Sequence, residues 1–413
     1  MCPTRSSGLR FAAALSTLPD ARQAAAEACR KASESLAAPV SLAMAFVSPH
    51  HAAELESVAA EIGERLSPGC LLGCTGESIV GNGREIEDSP AVALWLAALD
   101  GVSIAPMHLR FEKTAEGPTV VGWPDEMPEV WPPGAALLLL GEPFSFPADW
   151  LLERLNADRP GVPVVGGMAS GAHSPGGNRL LLDGNVFDQG AVAALVHGPV
   201  RIETVVSQGC RPIGRTFVVT KAEQNVILEL GGKPPLAQLQ AVFEELSPEE
   251  RQLVEQGLHV GRVINEQQGE FQRGDFLVRN CIGADRNTGA LAIGDYIRVG
   301  QTVQFHVRDA RTADEDLREL VRSAKQERSK ATQGALLFTC NGRGTRMFEA
   351  PDHDAGVLAK LLGDIPLAGF FAQGEIGPIG GKNFVHGFTA SAALFSPPGR
   401  PAPWAQRNDW MTF

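Results

Sequence analysis

Residues 335–344 read Ala-Leu-Leu-Phe-Thr-Cys-Asn-Gly-Arg-Gly, and residues 365–375 read Ile-Pro-Leu-Ala-Gly-Phe-Phe-Ala-Gln-Gly-Glu. Each is a short apolar run that gives way to polar and glycine residues, the pattern of a buried strand ending in a loop. Between them Val357, Leu358, Leu361 and Leu362 recur at helical spacing. A last apolar run, Phe388–Phe395, closes the segment. The order is strand, helix, strand, Gly-rich turn, strand: a β-α-β unit extended by one strand.

The same unit occurs twice more. Copy one spans Ser41–Leu99, copy two Ala135–His197 and copy three Ala335–Phe395. Copy one opens on Leu42–Val47, places Leu55, Val58, Ala59, Ile62 and Leu66 on one helical stripe, and continues through Cys70-Leu-Leu-Gly73 to the turn Thr75-Gly-Glu77. Copy two opens on Ala136–Leu140, carries Leu151, Leu152 and Leu155 on its helix, and reaches Val162–Gly167 and Ser170-Gly171. The repeats are too long for a solenoid. They predict a mixed α+β protein of the α/β type, with three related β-α-β-β units in mixed sheets flanked by helices.

Outward from the repeats, the pattern is less regular. Phe111–Gly134 carries Pro118, Pro124, Pro128, Pro132 and Pro133 and reads as a loop. Thr216–Leu230 reads as a hairpin and Phe276–Val307 as a three-stranded meander. Ser247-Pro-Glu-Glu250 is a capping box with proline at the first helical position. Thr312 and Glu315 predict the cap of a helix running to about Lys330. A boundary near Gly209–Gly214 divides the chain into residues 10–212, residues 213–397 and a Pro-rich tail, 398–413.

The 413 residues hold 36 Lys+Arg against 48 Asp+Glu, a net charge of −12, which argues against sequence-independent nucleic-acid binding. No apolar run approaches the ~18–20 residues that span a bilayer. Seven scattered cysteines fit neither a disulfide framework nor a zinc ribbon. The expectation is a cytoplasmic protein with no metal and no membrane span.

Ligands of α/β proteins usually sit at the C-terminal ends of strands. There copy three places Cys340, Asn341, Arg343 and Gly344, then Gly374 and Glu375, then Lys382 and Asn383. Glycines let backbone N–H groups converge on an anion. Arg343 suits a carboxylate and Glu375 an ammonium, so an amino acid or similar zwitterion is the predicted ligand. The competing reading is a plain tight turn with Glu375 paired to Arg343. Copy one echoes the motif with Cys74 and Glu77, and Arg211 in Gly209–Gly214 is a further candidate. Cys340 offers a nucleophile if its thiol is activated and a histidine (His386, His306 or His353) serves as base. Otherwise it is an inert buried thiol. His353, with Asp352 and Asp354, reads as solvated loop. There is no P-loop, Rossmann fingerprint or HExxH motif.

Leu72–Ser78, Val164–Gly171, Ser207–Gly214, Phe338–Gly344 and Leu367–Pro378 together resemble the FIST family, N-terminal and C-terminal domains both. That resemblance implies a sensory module for a small ligand, amino acids being the usual proposal. It also implies a signalling partner, because FIST domains are commonly fused to output domains and here only the tail follows. Some bacterial members are described as haem-binding nitric oxide sensors. With no CxxCH motif, a haem here would be non-covalent. The resemblance carries over no catalytic residues and leans away from an enzyme. A Cys340-dependent hydrolase or transferase and a haem sensor remain the alternatives.

Overall fold

The computed structural model describes residues 8–127, 130–326 and 331–398. The first repeat runs β1 (Leu9–Ser16), α1 (Ala21–Leu36), β2 (Leu42–Val47), α2 (Leu55–Leu66), β3 (Leu71–Thr75), β4 (Ile79–Gly81), β5 (Arg84–Ile86) and β6 (Val92–Leu99). The second runs β7 (Ser103–Thr114), β8 (Gly117–Val121), β9 (Ala136–Gly141), α3 (Ala148–Asp158), β10 (Val164–Met168), β11 (Leu180–Leu182), β12 (Asn185–Phe187) and β13 (Ala191–His197). The third begins with β14 (Arg201–Gln208) and is then interrupted. The insertion is β15 (Cys210–Glu223), β16 (Val226–Leu230), α4 (Pro235–Glu245), α5 (Pro248–Gln256), β17 (Leu258–Val263), β18 (Phe276–Ala284), β19 (Leu291–Ile293) and β20 (Thr302–Arg308). The repeat resumes with α6 (Ala310–Gln326), β21 (Gly334–Cys340), α7 (His353–Leu362), β22 (Leu367–Ala372), β23 (Glu375–Ile379), β24 (Lys382–His386) and β25 (Thr389–Ser396). The mixed α+β class follows the sequence reading.

Each repeat builds most of one sheet around a parallel pair: β2–β3, β9–β10 and β21–β22. An antiparallel strand and an outer edge strand complete it, as in β1-β6-β2-β3. Each Gly-rich turn of the sequence leads into a β-hairpin, and all three hairpins are exchanged. Hairpin β4–β5 of the first repeat adds to β22 of the third, β11–β12 of the second to β3 of the first, and β23–β24 of the third to β10 of the second. Three sheets thus close a ring in which no repeat finishes its own sheet.

The ring has one shared core. Phe46, Phe338 and Phe370 meet there with centroids 5.4–6.2 Å apart, beside Phe11, Trp95 and Phe395. Leu138, Leu140, Val165 and Val192 of the second repeat join the same cluster. Helices α1 and α2, α3, and α6 with α7 cover the outer faces. Strands buried on both sides explain the short, unbroken apolar runs. One glycine recurs at the same place in each parallel pair. A Cβ on Gly73, Gly166 or Gly369 would lie 2.3, 1.8 or 1.7 Å from the carbonyl oxygen of Ala45, Leu139 or Leu337.

The insertion closes a six-stranded barrel, β15-β16-β19-β18-β17-β20, with its own apolar core. Its first and last strands pair at Cys210 and Arg308, so it leaves and rejoins the ring side by side. The hairpin and the Ser247 capping box of the sequence reading lie in or on this barrel. Phe276–Val307 supplies three strands but no meander, because β20 pairs with β15 and β17 and not with β19. Two more expectations are corrected. Phe111–Gly134 is not all loop, because its start, through Val121, belongs to an antiparallel hairpin, β7–β8, whose first strand is anchored on β13 and whose second contains Pro118. Helix α6 is capped by Asp309, which accepts from the backbone N–H of Arg311 and Thr312, and not by Thr312. Lys330 lies outside the described residues.

Candidate functional site

The loops after β3, β10 and β22 meet at one end of the ring. Ser170 N–H donates to the Thr75 carbonyl at 3.1 Å, Gln373 N–H to Met168 at 3.0 Å, and Phe371 N–H to Ser78 at 2.9 Å. The Ser170 hydroxyl accepts from Glu77 N–H and donates to the Phe371 carbonyl, tying all three repeats together. Arg346 spans the same region, donating to the Asn341 carbonyl and pairing with Glu77.

Strand register gives the equivalent positions. Gly369 faces Val80, Gly166 faces Ile376 and Gly73 faces Leu181. Glu375, one residue before Ile376, therefore stands where the other repeats have Ile79 and Leu180. The Gly-Glu echo of Glu77 in the sequence is a coincidence of letters, two positions out of register. Equally, Cys340 stands where the others have Ser48 and Glu142. Those two are internally satisfied: Ser48 accepts from Ala91 N–H, and Glu142 from Phe144 N–H, Ser145 and Asn178. The third repeat differs. Glu375 is fully buried; its Oε2 accepts from Thr389 N–H and Oγ1 at 3.0 and 2.8 Å, while Oε1 has no partner. Burial pushes its carboxyl up to about 8, against the opposing effect of the Thr389 hydrogen bonds.

Phe388 organises the surroundings. It adopts φ +64, a genuine outlier for a bulky side chain. Its carbonyl accepts from Gly209 N–H, and its ring packs 4.4 Å from His259 and 5.4 Å from the Arg308 guanidinium, both on the barrel. Arg308 also donates to the Gly342 carbonyl. Several further atoms around this junction are buried without partners: Asn341 Oδ1, Arg308 Nε and both ring nitrogens of His259. Burial, then Arg308, lowers His259 to about 4, so its ring is neutral near pH 7. Unsatisfied buried polar atoms are rare in folded proteins.

The other predicted residues fall as follows. Arg343 is fully buried, and its fork is spent on Asp354 at 2.6 and 2.8 Å; it neither faces a ligand carboxylate nor pairs with Glu375. Asp354 and His353 are therefore not solvated loop. Burial alone would raise the Asp354 carboxyl, yet Arg343 and His353 hold it well below the usual range, and the His353 ring stacks on Phe348 at 3.4 Å. Gly344 (φ +59) lets the chain turn against Phe371. Gly374 lends its carbonyl to Met168 N–H. Asn383 is a buried lock, bonded to Asn156, to the Val162 carbonyl and to Val164 N–H, while Lys382 sits exposed at the hairpin tip. Cys74 is buried within β3, and Arg211 is engaged by Asp309 and Glu250.

Burial, and then Glu375, push the Cys340 thiol up, the direction opposite to activation. His386 is bonded to the Gly377 carbonyl and His306 to the Gln304 carbonyl. The junction thus keeps Cys340, Asn341 and Glu375 from the sequence reading. It adds Phe388, Arg308 and His259, which lie on ordinary-looking strands or just before them and carry no local motif.

The FIST N domain matches residues 41–233 and the FIST C domain residues 237–378. The chain belongs to the FIST family. FIST domains are linked to small-ligand sensing and signal transduction. The FIST chain is 46% identical over 388 residues to "Uncharacterized protein Rv0628c" of Mycobacterium tuberculosis (strain ATCC 25618 / H37Rv), covering 94% of this chain and 100% of the relative. It is 45% identical over 388 residues to "Uncharacterized protein Mb0898c" of Mycobacterium bovis, covering 94% of this chain and 99% of the relative. Among the described residues of this FIST chain no helix is long and apolar enough to cross a membrane.

Proposed function

We propose that this chain is a sensory protein that binds a small zwitterionic metabolite, of the amino acid class, where the ring meets the barrel. The observation that carries the reading is the set of unpartnered buried atoms around Phe388, drawn from both bodies: Glu375 Oε1 and Asn341 Oδ1 from the ring, Arg308 Nε and the His259 ring from the barrel. Two oxygens beside aromatic faces suit an ammonium group. The carboxylate falls to Arg308, since Arg343 is committed to Asp354. A ligand held by both bodies biases the placement of the barrel on the ring, the kind of domain adjustment that signals to a partner.

The test is a thermal-shift panel of amino acids, small carboxylates, nucleotides and haemin on the purified chain. A ligand at about 100 times its dissociation constant stabilises the fold by about 2.7 kcal/mol. A saturable shift with one class is expected, lost in Glu375→Gln and kept in Lys382→Ala at the exposed tip. Equal binding by Glu375→Gln and the parent chain overturns the assignment. His259 supports a second reading. Its neutral imidazole, opposite Asn280, has the donor chemistry to hold a haem iron, which would supply nitric oxide binding. A haemin-dependent Soret band that disappears in His259→Ala would favour it.

A further inference from the structure

The second repeat carries a concave surface between β8 and α3 that shares no residue with the junction. Trp123, Met127, Trp131 and Trp150 line it, with Arg154 and Arg159 beside them, and it encloses 430 Å³. That volume falls in the range of small-molecule sites, about 300–1,000 Å³. The local sequence stiffens the walls. Trp123 and Trp131 each precede a proline, which restricts their backbone to extended conformations. Trp123 donates its indole N–H to the Val120 carbonyl at 3.1 Å and lies 6.3 Å from Trp131, and Phe111 supports Trp150 edge-on at 5.7 Å. Trp131 is buried, whereas Trp123, Met127 and Trp150 are only half-buried against the core beneath them. Three of the chain's six tryptophans thus gather at one place on the surface. A nearby hollow of 310 Å³, lined by residues such as Val162, Thr204 and Pro378, has no aromatic or charged side chain in its described lining.

Charge selects the occupant. Asp158 is the one acid among the described lining residues, and its carboxylate is turned to Arg154 at 3.5 Å. Arg159 gives one N–H to the Asp158 backbone carbonyl at 2.8 Å and forms no ion pair among the described residues, while its Nε is buried without a partner. The Arg159 guanidinium lies 5.9 Å from the Trp131 ring, so a positive charge already occupies that aromatic face. A second cation would be repelled there, and a neutral guest would leave the guanidinium uncompensated. We infer that the groove binds a small carboxylate with an aromatic body, its rings against Trp123, Trp131 and Trp150 and its carboxylate on Arg159. Offset and edge-on contacts between rings add to simple burial. The flexible Met127 thioether adapts to a ring edge. A charge-assisted hydrogen bond from Arg159 is strengthened by the apolar walls around it. The aromatic body distinguishes this guest from the small zwitterion of the junction, and the two sites stand or fall separately.

The experiment is a calorimetric titration of the full chain with four probes: 2-naphthoate, its neutral analogue 2-naphthamide, the cation 2-naphthylmethylammonium, and decanoate as an alkyl carboxylate. 2-Naphthoate should bind saturably and about tenfold tighter than the amide, with no binding of the cation. Arg159→Gln should bring naphthoate down to the amide's affinity. The amide's own affinity should not change in that variant, which shows that the groove is still formed. Trp150→Ala should weaken both probes. Four results overturn the inference: equal affinity for naphthoate and naphthamide, no binding of naphthoate up to about 1 mM, an anion preference that survives Arg159→Gln, or decanoate binding as tightly as naphthoate. Glu375→Gln should leave naphthoate binding unchanged; its loss there would put the probe at the junction and overturn the groove assignment equally.

Discussion

At the scale of single residues, the protein places one ionisable group where its own repeats show an apolar one. Glu375 occupies the position of Ile79 and Leu180, and its carboxyl is raised from 4.5 to about 8 chiefly by burial. A raised carboxyl favours the protonated folded state. Its contribution is complete below the unfolded pKa and is lost as pH climbs from about 4.5 through about 8, at about 1.4 kcal/mol per pKa unit. Glu375→Gln should therefore raise Tm at pH 8 and leave it nearly unchanged at pH 4.5, read by differential scanning calorimetry at both. Glu85, also buried and raised to about 8, stays in both proteins and cancels in the comparison. The repeated glycines give a second prediction. Gly369→Ala puts a methyl 1.7 Å from the Leu337 carbonyl and should cost about 3 kcal/mol in urea unfolding. Gly63→Ala, in α2 with nothing within 4 Å, should stabilise by about 0.5–1 kcal/mol. Equal effects from the two would deny the close strand approach.

At the scale of elements, the hairpins decide the architecture. The sequence shows them as glycine-rich turns because β4, β5, β11 and β12 are three residues each, too short for any alternation to register. Their partners are legible only in three dimensions. No local pattern says that β23 adds to β10 in place of a strand of its own repeat. The parallel pairs, in contrast, were readable from the buried runs Leu42–Val47, Ala136–Leu140 and Ala335–Thr339. The same divide runs through the candidate site. Cys340, Asn341 and Glu375 announce themselves by sitting next to glycines at strand ends. Arg308, His259 and Phe388 reach the junction only because the barrel folds back onto the third repeat. Arg343 looked free because its partner, Asp354, lies across the turn on α7, where the sequence reads as polar loop. Asn383 is the lock of an exchanged hairpin, holding β24 to Asn156 of α3, to Val162 and to Val164 of β10. Asn383→Ala leaves Val164 N–H and the Val162 carbonyl without that partner and should cost about 2–3 kcal/mol. Native-state hydrogen exchange should then quicken at β10 and β23 before the rest of the ring; uniform loss would mean that the hairpin is not separately held.

At the scale of the whole molecule, the exchanges make the halves of the chain interdependent. Residues 10–212 contain two repeats, yet β10 lacks its partner β23 without the second half, and β22 lacks β4 without the first. Each half alone should expose an unpaired strand edge, a template for aggregation. Expressed separately, the halves should be insoluble or aggregated; co-expressed, they should reassemble into a soluble complex with the full chain's circular dichroism. A folded, monomeric first half would show that the exchange contributes little. The ring has a further consequence for how such a molecule acquires a site. Its contacts are heterologous, each repeat passing a hairpin to a neighbour by the same step, and the rotation closes after three. In form it is a head-to-tail trimer whose subunits share one chain. A true homotrimer would repeat every substitution three times, so an acid at the position of Glu375 would be buried in triplicate. Covalent fusion releases that constraint. One subunit can take on the buried carboxyl and the inserted barrel, while the other two keep Ile79 and Leu180 and the frame they form.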